Sequence, residues 1–129
     1  VGTRNATEQA LGSYTQQSKS VSMLPIVDLF KTEVLEICQY LGVPQVAIDK
    51  SHEVDCDCGR YDTQAHHMRE LDLYIMQRQG LLDPEYIKKN VSPDVLDEVI
   101  GFYVEETHNN KFRNRTPYVP EKNLVSVKR

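Results

Sequence analysis

Residues 1–15 read VGTRNATEQALGSYT, and the fold turns on how this stretch is understood. Val1-Gly2-Thr3 has the character of a strand end running into a turn, and Asn5 to Thr15 that of a helix. A strand needs neighbours to satisfy its backbone N–H and C=O groups, and nothing in the chain precedes this one. The stretch therefore reads as the middle of a fold, and the expectation is a fragment of a larger one.

Composition narrows what surrounds it. The 129 residues are enough for one domain with a real core, and 40% apolar with 26% charged residues is ordinary for a globular domain. The formal charge is −4, with Lys and Arg scattered until the C-terminus. That argues against a nucleic-acid binder, which would show a basic stripe. No apolar run approaches a membrane span, so no membrane partner is expected. The chain has 3 Cys, an odd and low count. It favours a reducing, cytoplasmic setting over a disulfide framework.

Outward from residue 15, the order of signals is mostly helical. QQSKSVS, residues 16–22, is polar and loop-like, and MLPIV after it is a short apolar run broken by Pro25. A helix is expected from Asp28, with Phe30, Val34, Ile37, Cys38 and Leu41 on one face and Gly42-Val43-Pro44 as its stop. Gln45 to Asp49 reads as a short helical turn. KSHEVDCDCGRY, residues 50–61, has no period and reads as a loop; a second helix is expected over Asp62–Gln79, with Met68, Leu71, Ile75 and Met76 buried. Asp83-Pro84-Glu85 and Ser92-Pro93-Asp94 mark two further helix starts. Val95, Val99, Ile100 and Tyr103 line the buried face of the last helix. Residues 109–129 read as an extended basic tail.

Four motifs stand in a fixed order: Gly2-Thr3-x-x-x-x-Glu8, Leu24-Pro25-Ile26-x-Asp28-Leu29-x-Lys31-Thr32, Tyr40-Leu41-Gly42-Val43-Pro44, and Phe112-Arg113-x-Arg115-x-Pro117-x-x-Pro120. Each is weak alone. In this order and at these separations they resemble the C-terminal half of the ammonia-dependent NAD synthetases, a family of N-type ATP pyrophosphatases. The resemblance covers residue 1 to about 121. It implies an α/β Rossmann-like fold, a parallel sheet flanked by helices. Residues 1–129 would be the C-terminal part of that domain, mainly α-helical with one or two short strands. The family's Ser-Gly-Gly-x-Asp-Ser pyrophosphate loop would belong to a missing N-terminal half, and this chain alone is expected to be inactive.

The resemblance also implies chemistry. ATP adenylates the nicotinate carboxylate of deamido-NAD, and ammonia displaces AMP. A pyrophosphate leaving group needs cations and a metal near the phosphates. Glu8 matches a magnesium-binding glutamate, and a phosphate-bound Mg²⁺ takes only one or two protein carboxylates. Thr3 and Lys31 match ATP contacts; a lysine in the first turn of a helix opposes the macrodipole, which favours an anionic partner. Lys50 is retained as the catalytic-segment lysine. Phe112-Arg113 takes the place of the pair that contacts deamido-NAD, and arginine is a good phosphate fork. The family forms homodimers, so a second copy is the expected partner alongside the nucleotides.

Three positions depart from the pattern. Gln16 stands for a loop lysine and Ser22 for an aspartate, both at deamido-NAD positions. Glu53 replaces an ATP-facing hydroxyl, and a carboxylate there repels phosphates unless a metal intervenes. These changes favour a rival from another class, a non-catalytic helical interaction module. A third reading, a zinc-stapled module on His52, Cys56, Cys58, His66 and His67, has suitable ligand types. Cys-x-Cys is not the usual zinc-site spacing, so zinc is not expected.

Overall fold

The computed structural model describes residues 1–51 and 66–115. Along them run α1 (Ala6–Leu11), a 3₁₀ turn (Gln16–Lys19), α2 (Lys31–Tyr40), α3 (Gln45–Lys50), α4 (Met68–Arg78), α5 (Pro84–Asn90) and α6 (Pro93–Asn109).

Local chemistry sets most of the boundaries. Asn5 caps α1: its Oδ1 accepts from Glu8 N at 2.9 Å, and Glu8 Oε2 accepts from Asn5 N at 3.1 Å. Gly12 ends the helix at φ 71°, where a side chain would be strained. Gly42 does the same after α2. Asp83 Oδ1 accepts from Glu85 N at 2.8 Å, with Pro84 at the first position of α5. Pro93 holds the equivalent place in α6.

α4 packs on α6, and α1 and α2 close over them. Ala6, Leu11, Phe30, Leu71, Ile75 and Val99 form the main core. Tyr74 and Tyr103 meet edge to face at its margin, ring centres 5.3 Å apart. A second cluster, Leu35, Ile48 and Met68, joins α2, α3 and α4, with Cys38 packed against it as a small apolar side chain.

The structure corrects the sequence reading in three places. There is no strand among the described residues. Val1–Thr3 and the run after Met23 are not without partners in the chain, as expected, but lie against each other. Gly2 N donates to Met23 O at 2.8 Å, and no ladder extends from that single bond because residues 24–29 curl into turns, Leu29 N donating to Ile26 O at 3.1 Å. Val1 and Met23 stay exposed, at 84% and 61%. α2 begins at Lys31, not Asp28, because Glu33 Oε2 takes Phe30 N at 2.7 Å and leaves Phe30 as the cap residue, its ring in the core. α4 runs from Met68, just after a bend at His67; the expected start at Asp62 lies outside the described residues. Residues 109–115 are not extended. Arg113 N donates to Asn110 O at 2.9 Å and Arg115 N to Phe112 O at 3.4 Å, so the chain turns back over α1; the prolines of the expected tail lie outside the described residues.

Candidate functional site

Two polar arrangements stand out, one buried at the junction of three helices and one at a corner of the surface.

The junction is centred on Asp72 of α4, 1% exposed. Thr7 Oγ1, from α1, donates to Asp72 Oδ1 at 2.6 Å. Thr32, in the first turn of α2, donates to Asp72 Oδ2 through its backbone N at 2.9 Å and its hydroxyl at 2.8 Å. Thr7 Oγ1 in turn accepts from Lys31 N at 2.9 Å. Two of the free N–H groups that open α2 are thus satisfied from other helices rather than by a local cap. The carboxylate also lies where the macrodipole favours negative charge. Burial nevertheless pushes the Asp72 carboxyl above its ordinary value of 3.8, outweighing the hydrogen bonds from Thr7 and Thr32, and Glu33 nearby adds to the rise.

The corner is centred on Tyr14, whose ring is buried between the end of α1 and the segment after α6. Its hydroxyl donates to Arg113 O at 3.1 Å and also meets Asn114 Oδ1. Arg113 Nη1 donates to Gly12 O at 3.3 Å and to Asn110 Oδ1. Asn110 Nδ2 donates to Glu106 Oε2 at 2.9 Å, which anchors the turn to α6. Arg4 lies over the Tyr14 ring, 4.3 Å from its centre, and Lys19 Nζ is 6.0 Å from the same centre. Lys19 Nζ also donates to Arg115 O at 3.5 Å.

The residues expected from sequence divide among three places. Thr3 is exposed just before α1, Glu8 lies half-buried on α1, and Lys31 opens α2; the Thr7–Lys31 bond holds these two helix starts together. Ser22 is exposed on the same side, next to the residue that pairs with Gly2. Gln16 opens the 3₁₀ turn at the Tyr14 corner, where Phe112 and Arg113 also arrive. Lys50 ends α3, two residues after Ile48 of the second cluster. Glu53, His52, Cys56 and Cys58 lie outside the described residues, and no group of three or more possible metal ligands occurs among the described ones. A groove of about 360 Å³ opens between α2 and α4, beside Thr32, Leu35 and Arg69. None of the expected site residues lines it.

Thr7, Asp72, Arg4 and Tyr14 were not among the expected site residues. Asp72 carried a readable signal. It falls at the i+4 position from Met68 and next to Leu71, a charged residue on the apolar face of α4. Tyr14 carried none, because its partners lie about a hundred residues away.

The comparisons with known proteins agree with the motifs. The family model described as NAD synthase matches residues 1–114. The chain is 28% identical over 124 residues to the NH(3)-dependent NAD(+) synthetase of Fusobacterium nucleatum, aligning over 92% of this chain and 46% of that protein. It is 30% identical over 124 residues to the protein of the same name from Trichlorobacter lovleyi, over 92% of this chain and 44% of that one. A shorter stretch of 50 residues is 46% identical to the Archaeoglobus fulgidus protein of that name, covering 38% of this chain and 20% of the relative. The chain thus spans a little under half the length of the first two of these relatives. No solved structure matches it. No helix among the described residues is long and apolar enough to cross a membrane.

Proposed function

We propose, on the premise that this chain belongs to the NAD synthase family, that it supplies the C-terminal part of an ATP-dependent amide ligase that converts deamido-NAD and ammonia to NAD. The observation that carries this reading is the juxtaposition at the two helix starts. The only described carboxylate of the first motif, Glu8, and the lysine of the second, Lys31, are brought to one end of the molecule by the Thr7–Lys31 bond. The Rossmann-like sheet, the cytosolic setting and a homodimer belong to the same proposal; Leu81 and Val104, exposed near and on the C-terminal helices, offer apolar surface to a second copy.

The residues fit a metal carried on a phosphate rather than one caged by protein. Glu8 is a single half-buried carboxylate, and Oε2 is held by Asn5 N, which fixes the group's direction. Mg²⁺ bound there would offset charge on the phosphates of ATP. Lys31 would contribute a cation from the start of α2, and the exposed Thr3 hydroxyl a hydrogen bond to the nucleotide. At the other end of α1, Gln16, Phe112 and Arg113 would receive deamido-NAD. Arg113 Nη1 is held by Gly12 O and Asn110, so its remaining N–H groups carry whatever it offers a ligand. The same internal hydrogen bonds of Glu8 and Arg113 support the second reading, a non-catalytic module in which both are structural.

Glu8→Gln separates the two readings. Glutamine serves a capping box as glutamate does, so α1 keeps its start while the charge is lost. Titration calorimetry of ATP with and without Mg²⁺ should show a magnesium-dependent affinity in the wild-type chain that drops about tenfold in the variant. Equal affinities in both proteins, or no magnesium dependence, would leave the interaction module as the better description.

A further inference from the structure

We propose that Arg4 and Lys19, gathered around the Tyr14 ring, form an anion site for a phosphate or pyrophosphate group. It deepens the reading above by giving the dinucleotide's phosphates a place on this chain. Arg4 occupies an open position of the first motif and Lys19 lies outside the motifs, so neither is among the residues that carry the family resemblance.

The first observation is crowding of like charge. Arg4 is 4.3 Å and Lys19 6.0 Å from one ring centre, so two cations share a single aromatic surface. The backbone carbonyls of Arg113 and Arg115 border the same corner, Arg113 O accepting from Tyr14 OH and Arg115 O from Lys19 Nζ. Neither Arg4 nor Lys19 is ion-paired with a carboxylate among the described residues; the ion pairs there are His67–Glu98 and Lys88–Glu85. In a chain of net charge −4, two cations on one ring with no carboxylate paired to either is a departure from the rest of the surface; the corner's acid, Glu106, is engaged by Asn110 Nδ2.

The second observation is independent. Arg4 Nε is buried and has no hydrogen-bond partner, the one such side-chain atom among the described residues. A buried donor without an acceptor is unfavourable by a substantial part of a hydrogen bond, and such groups call for an explanation. Nε and one terminal nitrogen form the side-on fork of a guanidinium, which suits two oxygens of a phosphate. A ligand oxygen drawn in by a small shift of the side chain would satisfy Nε and offset the local charge at once.

The ring is the fixed element. Tyr14 OH is held by Arg113 O and Asn114, and Gly12, pressed against Asn110, brings the end of α1 close enough for that. The guanidinium therefore rests on an immobile platform and loses little freedom when an anion docks. Lys19, from the 3₁₀ turn, approaches as a point charge that tolerates more than one ligand geometry.

The test uses the 129-residue chain, inorganic pyrophosphate and deamido-NAD, titrated calorimetrically in about 50 mM salt and again in about 200 mM. The variants are Arg4→Gln, Lys19→Gln and, as a charge control on exposed α5, Lys89→Gln. Pyrophosphate should bind the wild type and weaken about tenfold in Arg4→Gln, less in Lys19→Gln, and by less than twofold in Lys89→Gln. If Arg4→Gln does not fold, Lys19→Gln still decides, because that residue is exposed. No pyrophosphate binding, no dependence on either residue, or an equal loss in Lys89→Gln overturns the site. Pyrophosphate binding that depends on Arg4, with no deamido-NAD binding, keeps the site and removes the substrate reading. Deamido-NAD binding that ignores Arg4 and Lys19 does the reverse.

Discussion

The Asp72 junction and the Tyr14 corner are both polar, both joined by residues distant in sequence, and opposite in kind. At the junction a buried carboxyl meets three donors, and every group at the centre has a partner inside the protein. At the corner two cations sit on one ring with no carboxylate paired to either, and a buried donor is left over. The first is a finished structural device. It spends a buried acid, raised above its ordinary pKa, on fixing three helices. The second is structurally incomplete, which is the usual condition of a place that meets something else.

The comparison breaks most visibly at Asp72. Asp72→Ala leaves Thr7 OH, Thr32 N–H and Thr32 OH without their acceptor and should destabilise the fold by about 3–5 kcal/mol. Urea unfolding measures this, and a loss below about 1 kcal/mol would show that the junction does not hold the helices. Asp72→Asn should lose much less, because an amide can keep all three contacts with one donor reversed. The pair also gives the pH dependence. A folded carboxyl with a raised pKa binds its proton more tightly than the unfolded chain does. Its contribution is therefore fully present below the ordinary value of 3.8 and is lost as pH rises through the folded value. Wild type should lose stability relative to Asp72→Asn as pH climbs from acid toward neutral; a difference that does not vary with pH would place the proton elsewhere.

The corner depends on a backbone shape. Gly12 sits at φ 71°, and a Cβ there would be 2.8 Å from Asn110 Cβ. Gly12→Ala should cost about 2 kcal/mol and release residues 110–115, seen as faster amide hydrogen exchange in that segment. Unchanged exchange would mean that the turn stands without α1. Tyr14→Phe keeps the ring under Arg4 and removes only the hydroxyl contacts, so about 1 kcal/mol is expected from denaturant midpoints. The smallest effect belongs to Glu8→Gln, a few tenths of a kcal/mol, since the capping box survives; a loss near that of Gly12→Ala would mean the charge itself stabilises α1.

How much of this was legible differs by scale. Helix starts at Pro84 and Pro93, the glycine stop at Gly42, and the apolar faces of α4 and α6 follow from neighbouring residues, and they agree with the structure; the first helix, expected to run to Thr15, ends at Leu11 because Gly12 turns left-handed. The expected strands did not, because a strand is completed by partners, and Gly2 finds a single bond, to Met23 O, where no partner within the chain was expected. The start of α2 was misplaced for a related reason: Asp28 is a good local cap, but Glu33, Thr7 and Asp72 satisfy the helix start further along. Among the expected site residues, Gln16 follows two positions after Tyr14, whose hydroxyl meets Arg113 O, a proximity that only the fold creates.

By itself the sequence determined the helical character, the order of the motifs and the family to which they belong, since spacing and residue type act over a few positions and survive reading in one dimension. Only the tertiary structure decided that Thr7, Thr32 and Asp72 form one junction and that Arg4, Lys19 and Arg113 meet at Tyr14. The hydrogen bonds among them join residues 40 to 100 positions apart, and even the nearer Arg4 and Lys19 reach the Tyr14 ring only through the fold; a hydrogen bond or a cation over a ring depends on distances of a few ångströms that no local pattern encodes.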